Sequence, residues 1–170
     1  MPNSSHVLAP RESAGSGSPS GAPGTGVASE STTIGPMPEI EYAFLADAAE
    51  TAPGQKFHVL GGGIARIGGR VFPLRHPHIA LVVGLLVTAP ETEREHEIRF
   101  VLLDPDGAEV AGGAGSLVAR GAHDGRDNIL TFSIDLWNVT FPTAGDYSFR
   151  ILVNGSERKR LPLVIAAPEA

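Results

Sequence analysis

Residues 141–165 read FPTAGDYSFRILVNGSERKRLPLVI, and this stretch decides the fold. Asn154-Gly155 is a two-residue turn signal with apolar alternation on either side, the pattern of a β-hairpin. On the first arm Tyr147, Phe149, Ile151 and Val153 alternate with Ser148 and Arg150, giving one apolar face and one wet face. Pro142, Gly145 and Asp146 turn the chain into that arm. Tyr147 stands two residues before the inward Phe149. That spacing is the tyrosine corner of immunoglobulin-like sandwiches, in which the hydroxyl ties back to upstream backbone. Tyr147 is therefore expected to be a buried structural residue.

Partner strands can be read outward from the hairpin. NILTFSIDLW (128–137) places Leu130, Phe132, Ile134 and Leu136 on one face and Thr131, Ser133 and Asp135 on the other. HEIRFVLL (96–103) alternates Ile98, Phe100 and Leu102 with Glu97 and Arg99, and Asp104-Pro105-Asp106-Gly107 turns it into a short Gly-rich strand over 108–119. IEYAFLADAAE (40–50) reads as a first strand, ended by Pro53-Gly54. KFHVLGGGIARI (56–67) reads as a second, interrupted by Gly61, Gly62 and Gly63, with Gly68-Gly69 and Pro73 forming a loop after it. HIALVVGLLVTA (78–89) is the most apolar run. At about 12 residues it falls short of the ~20 that a membrane-spanning helix needs, so it reads as a strand covered on both faces. About eight strands with turns between them and no helical period predict an all-β fold, an antiparallel immunoglobulin-like β-sandwich. A jelly roll is the second choice. The single Trp137 comes late and there is no cysteine pair, so the pattern is not antibody-type. It belongs with the broader bacterial immunoglobulin-like or fibronectin-like sandwiches.

Composition agrees and sets limits. The 170 residues include 21 Gly and 14 Pro, and 42% are hydrophobic, which favours many short strands over long helices. The formal charge of −6 argues against a nucleic-acid partner, and the basic cluster Arg158-Lys159-Arg160 is confined to one strand. With no cysteine, disulfides, Cys-based zinc sites and thiol nucleophiles are all excluded. Residues 1–38 contain SAGSGSPSGAPGTGVASESTTIGPMP, a Gly/Ser/Pro-rich stretch with almost nothing to bury. They are expected to form a disordered N-terminal tail, with the sandwich domain occupying 39–167. The tail has neither the basic start nor the apolar run of a signal peptide. Together with the missing cysteines and transmembrane segment, that predicts a cytoplasmic location.

The order AFLADAAE, a GGG-containing strand, a long apolar strand, LLDPDG, and a final GDYSFRILVNG with LPLVIA resembles a small bacterial family of single-domain proteins of unknown function. The resemblance covers roughly residues 39–166 and leaves out the tail. It implies a bacterial source and a β-sandwich, and it carries over no site residues.

Each candidate site has a plain structural reading beside it. Gly61-Gly62-Gly63 follows a strand as a phosphate loop does, but strand residues continue and no Gly-Lys-Ser/Thr follows, so a bulge or close packing is expected. Asp104-x-Asp106-Gly107 opens like a calcium loop. Ala108 and Gly115 stand where ligands five and twelve belong, which leaves a hairpin turn. Gly113-Ala114-Gly115-Ser116 lacks the trailing glycine and helix of a nucleophile elbow. His76 and His78, two apart on an extended chain, face the same way and are the metal candidates. A third ligand would come from His58, His96, His123 or an acid, and the bland alternative is a pair of loop histidines stiffened by Pro73 and Pro77. No cofactor is expected. Trp137, Tyr42 and Tyr147 are expected to have core or corner duties, which leaves few aromatic platforms for a sugar.

In the run Ile79 to Val87 both phases are apolar, although only one can face the core between the sheets. The other needs a cover, either from a loop of the same chain (61–75 or 111–119) or from a second protein. If the cover is a protein, Leu81, Val83 and Leu85 lie at or beside an interface, most simply that of a homodimer. The leading reading is a non-catalytic protein-binding or assembly module with a protein partner or homo-oligomer, and no enzyme. A metal-dependent enzyme, or a metal- or sugar-binding domain using His76 and His78, is the alternative.

Overall fold

The computed structural model describes residues 37–52, 56–119 and 125–167. Expectations for residues 1–36 of the tail, for Pro53-Gly54 and for His123 fall outside the described residues. Ten strands are found among those described: β1 (Glu39–Ala46), β2 (Ala48–Glu50), β3 (His58–Leu60), β4 (Arg66–Gly68), β5 (Leu74–Val87), β6 (Glu95–Leu103), β7 (Glu109–Val118), β8 (Asn128–Phe141), β9 (Gly145–Val153) and β10 (Ser156–Ala166). One sheet has the order β1-β5-β8 and the other β4-β10-β9-β6-β7, while β2 and β3 form a separate hairpin. The two main sheets thus take eight strands. Their pairings are antiparallel except that of β4, which runs parallel to β10. The chain changes sheets between β4 and β5, β5 and β6, β7 and β8, and β8 and β9, as an immunoglobulin-like sandwich does.

The hairpin of 141–165 is the centre of the larger sheet. Asn154 at φ 49° and Gly155 at φ 80° make a turn with both central residues left-handed, which matches the twist of the strands it joins. Tyr147, Phe149, Ile151 and Val153 are buried at 1% exposure or less. The Tyr147 hydroxyl donates to the Thr143 carbonyl at 2.8 Å and accepts from its N–H at 3.3 Å, closing the corner between β8 and β9. Its ring meets Phe141 edge to face, with centroids 5.1 Å apart.

Residues 56–67 do not form the single strand that their composition suggests. Gly61 at φ 61° and Gly63 at φ 89° turn the chain through conformations only glycine adopts readily. The Gly63 and Ile64 N–H groups then both donate to Leu45 O. The flanking pieces become β3 on the small hairpin and β4 on the edge of the large sheet.

β5 is the central strand of the smaller sheet and is apolar on both faces. Ile79, Leu81, Val83, Leu85 and Val87 face the core between the sheets. On the opposite phase Ala80 and Val82 have no exposed surface either. Their cover comes from the same chain. Tyr42 stacks between Phe44 and Phe57, with centroids 6.4 and 6.2 Å away, and its hydroxyl bonds Thr131 Oγ1. The β2–β3 hairpin lies over the same face, where Thr51 Oγ1 accepts the Ser133 N–H at 3.1 Å. Leu81, Val83 and Leu85 are each 0% exposed, so they belong to the core of their own chain and offer a partner no surface.

Candidate functional site

β5 begins at Leu74, which puts His76 and His78 on a strand instead of in a loop. They do not act as a pair. His78 Nδ1 is 2.6 Å from the Asp47 carbonyl oxygen and Nε2 is 2.9 Å from Asp135 Oδ1. Both neighbours are acceptors, so a metal ion or a nucleophile's proton would have to displace one of these bonds. His76 keeps Nδ1 buried with no hydrogen bond from the chain. Among the described residues no group of three or more His, Asp or Glu is arranged to hold a metal ion.

His78 also packs against Trp137, with ring centroids 4.1 Å apart and planes tilted by 35°. Trp137 was expected in the core or corner, yet it is 67% exposed. Trp137 follows the inward Leu136 and so falls on the outer phase of β8 with Thr131, Ser133 and Asp135. Asn138, at a left-handed φ of 54°, shifts the alternation after it, so that Val139 points inward and Asn138 joins Trp137 outside. Beside them, between β8 and the start of β7, is a recess of about 350 Å³ lined by Trp137, Asp135, Asn138, Thr140, Val110 and Ala111, among others.

The remaining sequence candidates have structural duties. Asp104 Oδ1 accepts the N–H groups of Asp106 at 3.0 Å and Ala108 at 2.7 Å, which holds the β6–β7 turn. Gly61 to Gly63 lead into β4 and no helix follows. In the basic cluster Arg160 donates to Glu157 Oε1 through Nε and Nη2, at 3.1 and 2.9 Å.

The side of the sandwich between β7 and β8 was not singled out in the sequence. These two edge strands stand apart. A second gap, of about 170 Å³, opens between them over Ile98, Leu117, Phe132 and Ile134. Gly115 faces this gap, and a Cβ added there would meet nothing within 4 Å. Val118, next to Leu117 on β7, and Ile129, at the start of β8, are 51% and 45% exposed. From Val110 to Val118, β7 has no charged residue and no proline, the devices that usually protect an edge strand. The signal was present in the Gly-rich run 111–115, but only pairing shows that this run is an edge.

No helix among the described residues is long and apolar enough to cross a membrane. The profile of a family described as "Family of unknown function (DUF6941)" matches residues 41–166. A comparison with curated proteins finds no match. Among solved structures, the alkylpurine DNA glycosylase AlkC of Pseudomonas fluorescens aligns at 16% identity and a TM-score of 0.43, over 77% of this chain and 31% of that one. The chain therefore spans less than a third of that enzyme. The C-terminal domain of Wzt aligns at 12% identity and a TM-score of 0.42, over 78% of this chain and 75% of that one. An immunoglobulin-like protein of Pseudomonas aeruginosa aligns at 9% identity and a TM-score of 0.31, over 74% of this chain and 97% of that one. Likenesses of this size carry no argument about ligand or activity.

Proposed function

We propose that this chain, which belongs to the DUF6941 family of unknown function, is a non-catalytic protein-binding or assembly module. The observation that carries the reading is the open side between β7 and β8, where an unguarded edge strand borders an apolar gap. An exposed edge offers a row of backbone donors and acceptors to an added strand, and the gap offers a slot for its side chains.

The simplest partner is a second copy. Antiparallel pairing of two β7 strands about Ala114 would set Val110 against Val118, Ala111 against Leu117 and Gly113 against Gly115. Glu109, the one charged residue of the strand, would face Ala119, so no like charges meet. Size-exclusion chromatography with light scattering tests this on the wild type, Ala114→Lys and Val118→Lys. Both positions are exposed, so the monomer accepts either lysine, and at Ala114 two lysines would meet across the paired strands. A wild-type dimer that both variants convert to monomer, with melting temperature unchanged, is the expected result. A wild type that stays monomeric at the highest concentration overturns self-pairing.

A further inference from the structure

Trp137 is the single tryptophan of the chain, and the fold leaves 67% of it in water. An indole so placed forgoes most of the stabilisation that burial would bring it. It is nevertheless held in place. His78 backs the ring at 4.1 Å, and His78 is itself fixed at both nitrogens, by Asp47 O and Asp135 Oδ1. The result is a preset flat apolar plate beside a recess of about 350 Å³, at the small end of the range for ligand pockets. The polar groups that line the same recess are Asp135, Asn138 and Thr140.

We propose that this recess is a carbohydrate site, with Trp137 the stacking platform for one pyranose ring. A pyranose has a face of C–H groups and a rim of hydroxyls. It therefore suits an aromatic plate surrounded by short acceptors and donors, which Asp135, Asn138 and Thr140 provide. The charge of the site argues against the other ligand for an aromatic plate, an organic cation. The Asp135 carboxylate is already engaged by His78, and Asn138 and Thr140 are neutral. The recess borders β7 at Val110 and Ala111 but is distinct from the gap over Phe132 and Ile134, and its sugar readouts are taken independently of the oligomeric state.

Because Trp137 is the only tryptophan, its emission reports on this recess alone. The full chain is titrated with cellobiose, maltose, lactose and N,N′-diacetylchitobiose while emission is followed, and saturation-transfer NMR is recorded on each sugar. Expected is a saturable blue shift with at least one sugar, with a Kd on the order of 1 mM, transfer concentrated on the protons of one ring face, and loss of that transfer in Trp137→Ala. Protection of Trp137 from acrylamide quenching by the same sugar gives a readout on the wild type that needs no variant. No shift and no transfer with any of the four sugars overturns the proposal. So does equal transfer in Trp137→Ala, or a shift with tetramethylammonium and none with the sugars.

Discussion

Asn154 serves several groups at once. Its backbone takes the left-handed conformation the turn requires, and its N–H donates to Glu97 O at 2.9 Å. Its side-chain Oδ1 accepts the Glu97 N–H at 2.9 Å, and Nδ2 donates to His96 Nδ1 at 3.2 Å. His96, 2% exposed, then donates from Nε2 to Glu91 O at 2.9 Å. The buried Glu91 carboxylate receives the Thr88 N–H and hydroxyl at 2.7 and 2.8 Å. A turn residue thus anchors the end of β6. Asn154→Gly keeps the turn conformation and strands a buried imidazole nitrogen, so a cost of about 2–3 kcal/mol is expected in urea denaturation. A cost no larger than a few tenths would mean that the turn alone matters. Tyr147→Phe removes the hydroxyl that serves both backbone groups of Thr143. Expected is a loss of roughly 1–3 kcal/mol with the slope of the transition unchanged, because the ring still fills its place against Phe141.

Two glycines separate a packed sheet face from an open one. A Cβ on Gly84 would lie 2.3 Å from Tyr42 Cζ, and that ring is held by Thr131 and by the flanking Phe44 and Phe57. Gly84→Ala should cost about 1–3 kcal/mol, since the ring has nowhere to move. Gly115 faces the gap over Phe132 and Ile134. There Gly115→Val should stabilise by roughly 1 kcal/mol, through added apolar contact and better strand propensity. Paired thermal melts check the contrast, and the reverse order would mean the two faces have been confused. The same elements mark where the sequence was legible. β6, β8 and β9 each keep one face wetter than the other, so alternation reveals them. Residues 56–67 mislead because their flanks have strand composition, while Gly61 and Gly63 take left-handed conformations that composition does not announce. His78 finds its partners 31 and 57 residues away, beyond the reach of any local spacing. Trp137 lies on the outer phase of Thr131, Ser133 and Asp135, where strand alternation alone puts it, and only the size and apolar character of an indole suggest the core.

At the scale of the whole molecule, the smaller sheet depends on a piece that is not part of either sheet. The excursion after β1 leaves and returns at one point. The Asp47 N–H reaches Leu60 O at 3.1 Å and Gly61 O at 3.3 Å, and the Gly63 N–H reaches Leu45 O at 2.8 Å. Replacing residues 48–60 by two glycines therefore joins ends that already meet, and it leaves Leu81, Val83 and Leu85 packed between the sheets. It also takes away Phe57 and Thr51, and with them the cover over Ala80, Val82 and the Tyr42 ring. The shortened chain should still fold, because the β9–β10 hairpin lies in the other sheet and the tyrosine corner that joins β8 to β9 is left intact. Its stability should fall by about 2–4 kcal/mol for the apolar area returned to water. The uncovered face should bind a hydrophobic dye and drive association that grows with concentration, as an apolar patch of several hundred Å² does. Dye fluorescence and light scattering on the two chains decide the matter. A shortened chain that stays monomeric and binds no dye would mean that Tyr42 and Phe44 cover the sheet alone, and that the excursion serves a purpose other than shielding β5.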